Sequence, residues 1–162
     1  MPRRWRIFLP VAVLSILADQ LTKAYALAKL PGPGVRVSVV ENYFDWVLAY
    51  NTGSAFSMFS GTDGARVFLS VIGVAAVLAV LWLVHKSEDN QTLMLSAFGL
   101  MVGGAIGNLI DRIATGKVTD FILWRYYEKT WPVFNIADVC LCIAAGLFLL
   151  GSFKPKKDEP TK

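Results

Sequence analysis

Val67 to Val84 reads VFLSVIGVAAVLAVLWLV, and Thr92 to Ile110 reads TLMLSAFGLMVGGAIGNLI. Neither stretch holds an Asp, Glu, Lys or Arg, and each is close to the roughly 20 apolar residues that an α-helix needs to cross the hydrocarbon. Arg66 precedes the first and His85-Lys86 follow it, while Asp111-Arg112 close the second. Val133 to Phe153 is a third such run, with Asp138 as its single charge and Lys154 at its end. Near the N-terminus, Ile7 to Ala18 is apolar, and Asp19 and Lys23 fall in the second half of a run reaching Leu30. A secretory signal peptide is the other reading of that segment, and the basic start Arg3, Arg4, Arg6 suits it. No clean small-residue cleavage site follows, however, and a signal peptide does not need an acid and a base one helical turn apart. The pattern predicts four membrane spans, about 7–30, 67–84, 92–110 and 133–153, within a single membrane domain over residues 1–162.

Composition agrees. The chain has 162 residues, 55% of them hydrophobic and only 17% charged, with a mean hydropathy of +0.51. Soluble domains sit near 45–50% apolar and about 25% charged. Cys140 and Cys142 lie two apart in an apolar run and point to different sides of a helix, so they form neither a disulfide framework nor a metal spacing. His85 is the only histidine. No metal and no cofactor is expected.

The basic residues bear on orientation. Arg3, Arg4, Arg6, Lys86 and the tail Lys154, Lys156, Lys157, Lys162 fall on one side of a four-span chain. The short basic flanks place both termini in the cytoplasm. The net charge of +4 then reads as membrane anchoring. With the basic residues split among flanks and no basic surface interleaved with aromatics, no nucleic-acid partner is expected.

Two external segments follow, about 31–65 and 111–132. The first alternates Val35, Val37, Val39 before Tyr43, Phe44, Trp46 and Leu48, and predicts short strands and turns. The second is rich in aromatics (Phe121, Trp124, Tyr126, Tyr127, Trp131), which favour the water–lipid interface. It is expected to lie along the outer surface.

Ionisable residues inside spans are costly and functional by default. Asp19 and Lys23 lie past the midplane of the first span, Asn108 near the outer end of the third, and Asn135 and Asp138 near the outer start of the fourth. Three spans thus expose polar groups to one shallow layer. Asp19 and Lys23 are an i,i+4 pair that neutralise each other in the simplest reading. Asn108, Asp111 and Arg112 share a helix face and form, in the simplest reading, a helix end closed by a salt bridge. Gly99, Gly103 and Gly107 make a stripe suited to close helix packing. Asp138 and Asp120 remain, neither with such a partner. If the loop carrying Asp120 folds back, the two carboxylates meet and share a proton, which is the chemistry of aspartic proteases.

The chain resembles the lipoprotein signal peptidases (signal peptidase II) over about residues 7 to 153. The resemblance rests on Asp19-Gln20-Leu21-Thr22-Lys23, Asn51-Thr52-Gly53-Ser54-Ala55-Phe56, the run Gly103 to Arg112, Val118-Thr119-Asp120-Phe121 and Phe134-Asn135-Ile136-Ala137-Asp138, in that order. Ser54 departs from the small apolar residue the family favours, and Val139 from a frequent Ser. The resemblance implies an α-helical integral membrane protein with four transmembrane helices, a small extracytoplasmic β-cradle and a surface-lying periplasmic helix or loop. It implies an endopeptidase of the bacterial cytoplasmic (inner) membrane that cuts prolipoproteins just before a diacylglyceryl-modified cysteine, with its active site near the outer surface. Asp120 and Asp138 match the family's catalytic pair, while Asp19, Lys23, Asn51, Gly104, Asn108, Asp111, Arg112, Asn135 and Ala137 match positions that shape the site or hold substrate. Its partners would be lipidated signal peptides and membrane lipid, with cyclic peptide antibiotics of the globomycin type as inhibitors. The alternative is a small proton-coupled transporter, since intramembrane Asp and Lys are also its signature; against it, no internal repeat is visible and the polar residues avoid the midplane.

Overall fold

The computed structural model describes residues 1–53 and 62–153. Ser54, Ala55 and Phe56 of the Asn51 motif, and the basic tail Lys154, Lys156, Lys157 and Lys162, lie outside the described residues. The chain runs α1 (Arg3–Lys29), β1 (Arg36–Val40), β2 (Phe44–Asn51), α2 (Thr62–Lys86), α3 (Thr92–Thr115), β3 (Val118–Tyr126), β4 (Lys129–Thr130) and α4 (Ile136–Ser152). Helices α1, α2 and α3 are long and apolar enough to cross a membrane, and α4 is a shorter apolar helix. This is a four-helix membrane protein with a small antiparallel sheet.

The helices are built for lipid. Leu14, Leu17, Leu21, Val67, Val71, Leu78 and Trp82 point outward and are exposed, as apolar side chains facing acyl chains should be. The interior is small: Phe8, Ala12, Val80, Val84, Leu95, Phe98 and Val102 form one cluster. Helix α3 is central, touching α1, α2 and α4. Its glycine stripe makes that possible. A Cβ added at Gly99 would lie 2.8 Å from the Val11 Cβ and 3.0 Å from the Phe8 carbonyl oxygen, and one at Gly103 would collide with Ser15. Packing of this closeness substitutes for the hydrophobic drive that lipid removes.

Helix ends follow from local chemistry. The Asp89 carboxylate, from the α2–α3 turn, accepts the Arg3 and Arg4 backbone N–H groups at 2.9 and 3.4 Å and so caps α1 from a distance. Gly116, at φ 80°, ends α3 in the left-handed conformation that glycine adopts without penalty. Asn135 opens α4 with a capping box to Asp138.

The sheet has strand order β1-β2-β3-β4, all neighbours antiparallel. The expected strands of the first external segment are present as β1 and β2. The segment 111–132 differs from the expected surface helix or loop: among its described residues, α3 continues to Thr115 and the rest forms β3 and β4. The reason is physical. Val118 to Trp124 is rich in β-branched and aromatic residues, and β2 offers an edge on which its backbone groups pair. The last span also begins later than its apolar run, because Phe134 is bridged to Ile122 of β3 and Asn135 is committed as a cap. Trp46 of β2 stacks on Phe121 of β3 at 5.6 Å and meets Tyr25 of α1 edge-on at 6.4 Å, which docks the sheet on the C-terminal half of α1.

Candidate active site

The polar residues of α1, α3 and α4 meet at one end of the bundle, where β3 crosses them. Asp138 sits in the first turn of α4. Its Oδ2 accepts the Asn135 backbone N–H at 3.2 Å, and its Oδ1 accepts the Asn108 side-chain amide at 2.9 Å. Asn135 is fully buried. Its Oδ1 accepts the Asp138 N–H at 3.0 Å, while its Nδ2 donates to Asp120 Oδ1 at 2.6 Å and to Asn108 Oδ1 at 3.0 Å. The two carboxylates are therefore linked through a pair of asparagines, one on α3 and one at the cap of α4. The turn at Gly116 and the pairing of β3 on β2 fold Asp120 back to this point, with Asp120 opposite Ala49 in the register.

Asp120 is 3% exposed. Burial pushes its carboxyl up to about 7, the negative charge of Asp138 pushes the same way, and hydrogen bonds from Asn135 and Asn51 with the charge of Lys23 pull it partly back. Asn51 is oriented for this contact. Its Oδ1 accepts the Gly53 N–H at 2.9 Å, which leaves its amide free to face Asp120.

Asp19 and Lys23 do pair, at 2.8 Å, and both are buried. The salt bridge expected within Asp111-Arg112 is replaced: Asp111 pairs with Lys23 of α1 at 3.2 Å. Arg112 instead donates to the Asn108 carbonyl at 3.4 Å along its own helix. It lies within electrostatic reach of Asp138, Asp120 and Asp111. Adjacent residues leave an α-helix 100° apart, so Asp111 turns inward to α1 while Arg112 flanks the carboxylates. Ala137 is fully buried and gives its backbone N–H to Asp19 Oδ1 at 2.9 Å. At Gly104 a Cβ would lie 2.6 Å from the Ala137 carbonyl oxygen, so this glycine lets α3 approach the start of α4.

Two groups escaped the sequence reading. Gln20 donates to Asp19 Oδ2 at 3.0 Å, the Gly107 carbonyl at 3.1 Å and Asp111 Oδ1 at 3.3 Å. In the sequence it figures only as part of the Asp19 to Lys23 motif, with no role given to it. Asp45 is 2% exposed and pairs with Arg125 at 2.8 Å across β2 and β3. No spacing rule joins residues so far apart in the chain.

A carboxylate pair of this kind, partly withdrawn from water and with one member near neutral in pKa, can hold a single proton and exchange it with a bound group. Residues 11–154 match the family model described as signal peptidase (SPase) II. Among relatives named lipoprotein signal peptidase, that of Polynucleobacter necessarius subsp. necessarius (strain STIR1) is 38% identical over 148 residues, covering 91% of this chain and 89% of the relative. That of Ectopseudomonas mendocina (strain ymp) is 40% identical over 154 residues, covering 93% and 89%. A solved structure described as a bacterial membrane enzyme superposes with a TM-score of 0.80 at 31% identity, covering 91% of this chain and 93% of that one. A match to a peptidase family over most of the chain leaves the transporter alternative without support.

Proposed function

We propose that this chain, which belongs to the signal peptidase II family, removes the signal peptides of prolipoproteins by aspartic chemistry, with Asp120 and Asp138 as the reacting acids. The observation that carries this reading is the Asn135 side chain, which bonds Asp120 directly and is locked by a reciprocal cap to Asp138. A water held between the two carboxylates loses a proton to the ionised one as its oxygen attacks the scissile carbonyl carbon. The protonated partner donates to the carbonyl oxygen. As the tetrahedral species collapses, the C–N bond breaks and the leaving amine of the cysteine takes a proton from the pair. With its carboxyl raised to about 7, Asp120 can hold a proton near physiological pH.

On this reading the chain acts as a single membrane domain in the bacterial cytoplasmic membrane, with both termini cytoplasmic and the acids near the outer surface. The diacylglyceryl group of the substrate stays in the bilayer and fixes the depth of the scissile bond. The signal-peptide helix lies against the bundle, and cyclic peptides of the globomycin type occupy the same place as inhibitors. Asn51, Asn108, Arg112 and Asn135 surround the acids, while Gly104 and Ala137 supply the close α3–α4 contact beneath them. The test is purified protein in detergent with a diacylated pre-lipoprotein, the product read by mass. Asp120→Asn and Asp138→Asn should each lower turnover by about 10²–10⁴-fold, the usual worth of a general acid–base group. The double variant should be little worse than either, because the pair acts as a unit. Near-normal turnover in either single variant would sink the aspartic mechanism.

A further inference from the structure

Lys23 is 2% exposed, and its ammonium is fully used. An ammonium has three N–H donors, and here they face Asp19 Oδ2 at 2.8 Å, Asp111 Oδ2 at 3.2 Å and Asn108 Oδ1 at 3.0 Å. None is left for a substrate. The two carboxylates that Lys23 joins have a second feature in common. Asp19 accepts the backbone N–H of Ala137 at 2.9 Å, and Asp111 accepts that of Thr119 at 2.9 Å. Ala137 immediately precedes Asp138, and Thr119 immediately precedes Asp120. Gln20 braces the same two carboxylates and ties them to the Gly107 carbonyl of α3.

We propose that Gln20, Asp19, Lys23 and Asp111 form a backbone clamp, a set of positioning residues that fixes the separation of Asp120 and Asp138 by holding the backbone N–H of the residue before each. The inference rests on the reading of those two aspartates as the reacting acids. A charge-assisted hydrogen bond is short and about twice as strong as a neutral one. Anchored on a backbone N–H, it restrains the main chain one residue before each acid. One buried cation linking two such anchors makes the spacing of the acids a property of α1, which carries neither of them. A buried ion network costs desolvation that its attraction only roughly offsets, so geometric specificity is the gain that accounts for it here. The arrangement also explains why Asp111 turns to Lys23 rather than to Arg112 beside it.

The test compares Asp19→Leu, Asp111→Leu and Gln20→Leu with the parent, using a diacylated pre-lipoprotein. Misplacement of a reacting group by about 1 Å costs on the order of 10²-fold, so kcat should fall by about that factor in the two aspartate variants and by about tenfold for Gln20→Leu. KM should stay within about twofold, because transition-state geometry and not substrate binding is lost. Asp111→Asn, which keeps an oxygen for the Thr119 N–H, should recover most of the kcat lost in Asp111→Leu. Amide hydrogen exchange gives a readout independent of activity. Protection should vanish at Thr119 in Asp111→Leu and at Ala137 in Asp19→Leu, with the rest of α3 and α4 still protected. A raised KM with unchanged kcat, or unchanged kinetics throughout, would overturn the clamp. So would unprotected Thr119 and Ala137 amides in the parent, a measurement that stands even if a variant fails to fold. Full turnover by Asp120→Asn would instead overturn the underlying assignment while leaving the amide protection intact.

Discussion

Gly104→Ala tests how tightly the start of α4 is held. The new methyl would sit 2.6 Å from the Ala137 carbonyl oxygen and 2.8 Å from Leu141 Cγ. Leu141 can change rotamer, but the carbonyl belongs to the first turn of α4 and cannot. A relaxed carbon–oxygen contact is about 3.3 Å or more, so the helices must separate by roughly 0.7 Å at the residue adjoining Asp138. Overpacking of this kind costs about 1–3 kcal/mol, and at this chain length each kcal/mol lowers Tm by roughly 2–4 °C. The kinetic effect should exceed the thermal one. On the proposed reading of Asp138 as a reacting acid, a displacement approaching 1 Å beside it costs up to about 10²-fold in rate, so we expect kcat on a diacylated pre-lipoprotein to fall by about 10–100-fold in folded protein. Gly146→Ala is the control. It lies on α4, a Cβ there meets nothing within 4 Å, and alanine should be neutral or slightly stabilising. If Gly104→Ala keeps the parent's Tm and kcat, the α3–α4 contact does not position Asp138.

Asp120 also gives a pH prediction. Its folded pKa lies near 7, above the ordinary carboxylate value of 3.8, so the stability present below that ordinary value is lost as pH rises toward about 7; Asp120→Asn should escape this loss, and its Tm advantage over the parent should grow between pH 4 and pH 8. Arg125→Met leaves the buried Asp45 carboxylate without its cation, and breaking such a pair typically costs about 3–5 kcal/mol; thermal unfolding should show it, and Asp45→Leu added to Arg125→Met should restore most of the loss. A pre-lipoprotein lacking diacylglycerol should be cut poorly, because nothing then fixes the depth of its scissile bond; equal turnover of both substrates would refute the depth argument. Reporter fusions after Lys86 and Lys162 should report cytoplasm and those near Thr62 and Lys129 the outside; an outside signal after Lys162 would overturn the topology.

The spans were legible because lipid imposes a one-dimensional rule: an uncharged run of sufficient length has few other places to go. The polar layer was legible for the same reason, since Asp19, Lys23, Asn108 and Asp138 stand out against apolar surroundings. Residues whose role depends on which neighbour they face were not. Asp111 and Arg112 look like a local pair, and only the approach of α1 across the glycine stripe makes Lys23 the partner of Asp111. The aromatic segment after α3 looked interfacial by composition, and several of its rings are exposed, Trp124, Tyr126 and Tyr127 among them. Its strand character needed an edge to pair with, and that edge belongs to β2, distant in sequence.

If Asp120 and Asp138 are the reacting pair proposed above, the need for the sheet follows from where Asp120 must stand. A helix end alone could hold Asp138, because the cap of α4 fixes it, but the partner acid has to come from the opposite direction and stop at a set distance. A loop would leave it a range of positions. β3 is bonded to β2 along one side and to Phe134 along the other, with the Thr119 N–H held by Asp111 beneath. Sites built on paired strands and helices hold their geometry better than sites on loops. With three sides of β3 fixed, little freedom remains at Asp120 except rotation about its own side-chain bonds. The Asn135 amide at 2.6 Å and the facing Asn51 restrict that rotation. The sheet is thus part of the site's framework. Weakening it at Asp45–Arg125, far from the acids, should lower turnover of folded protein as well as stability, and a variant that lost stability with unchanged kcat would show that β3 is held by its contacts with the helices alone.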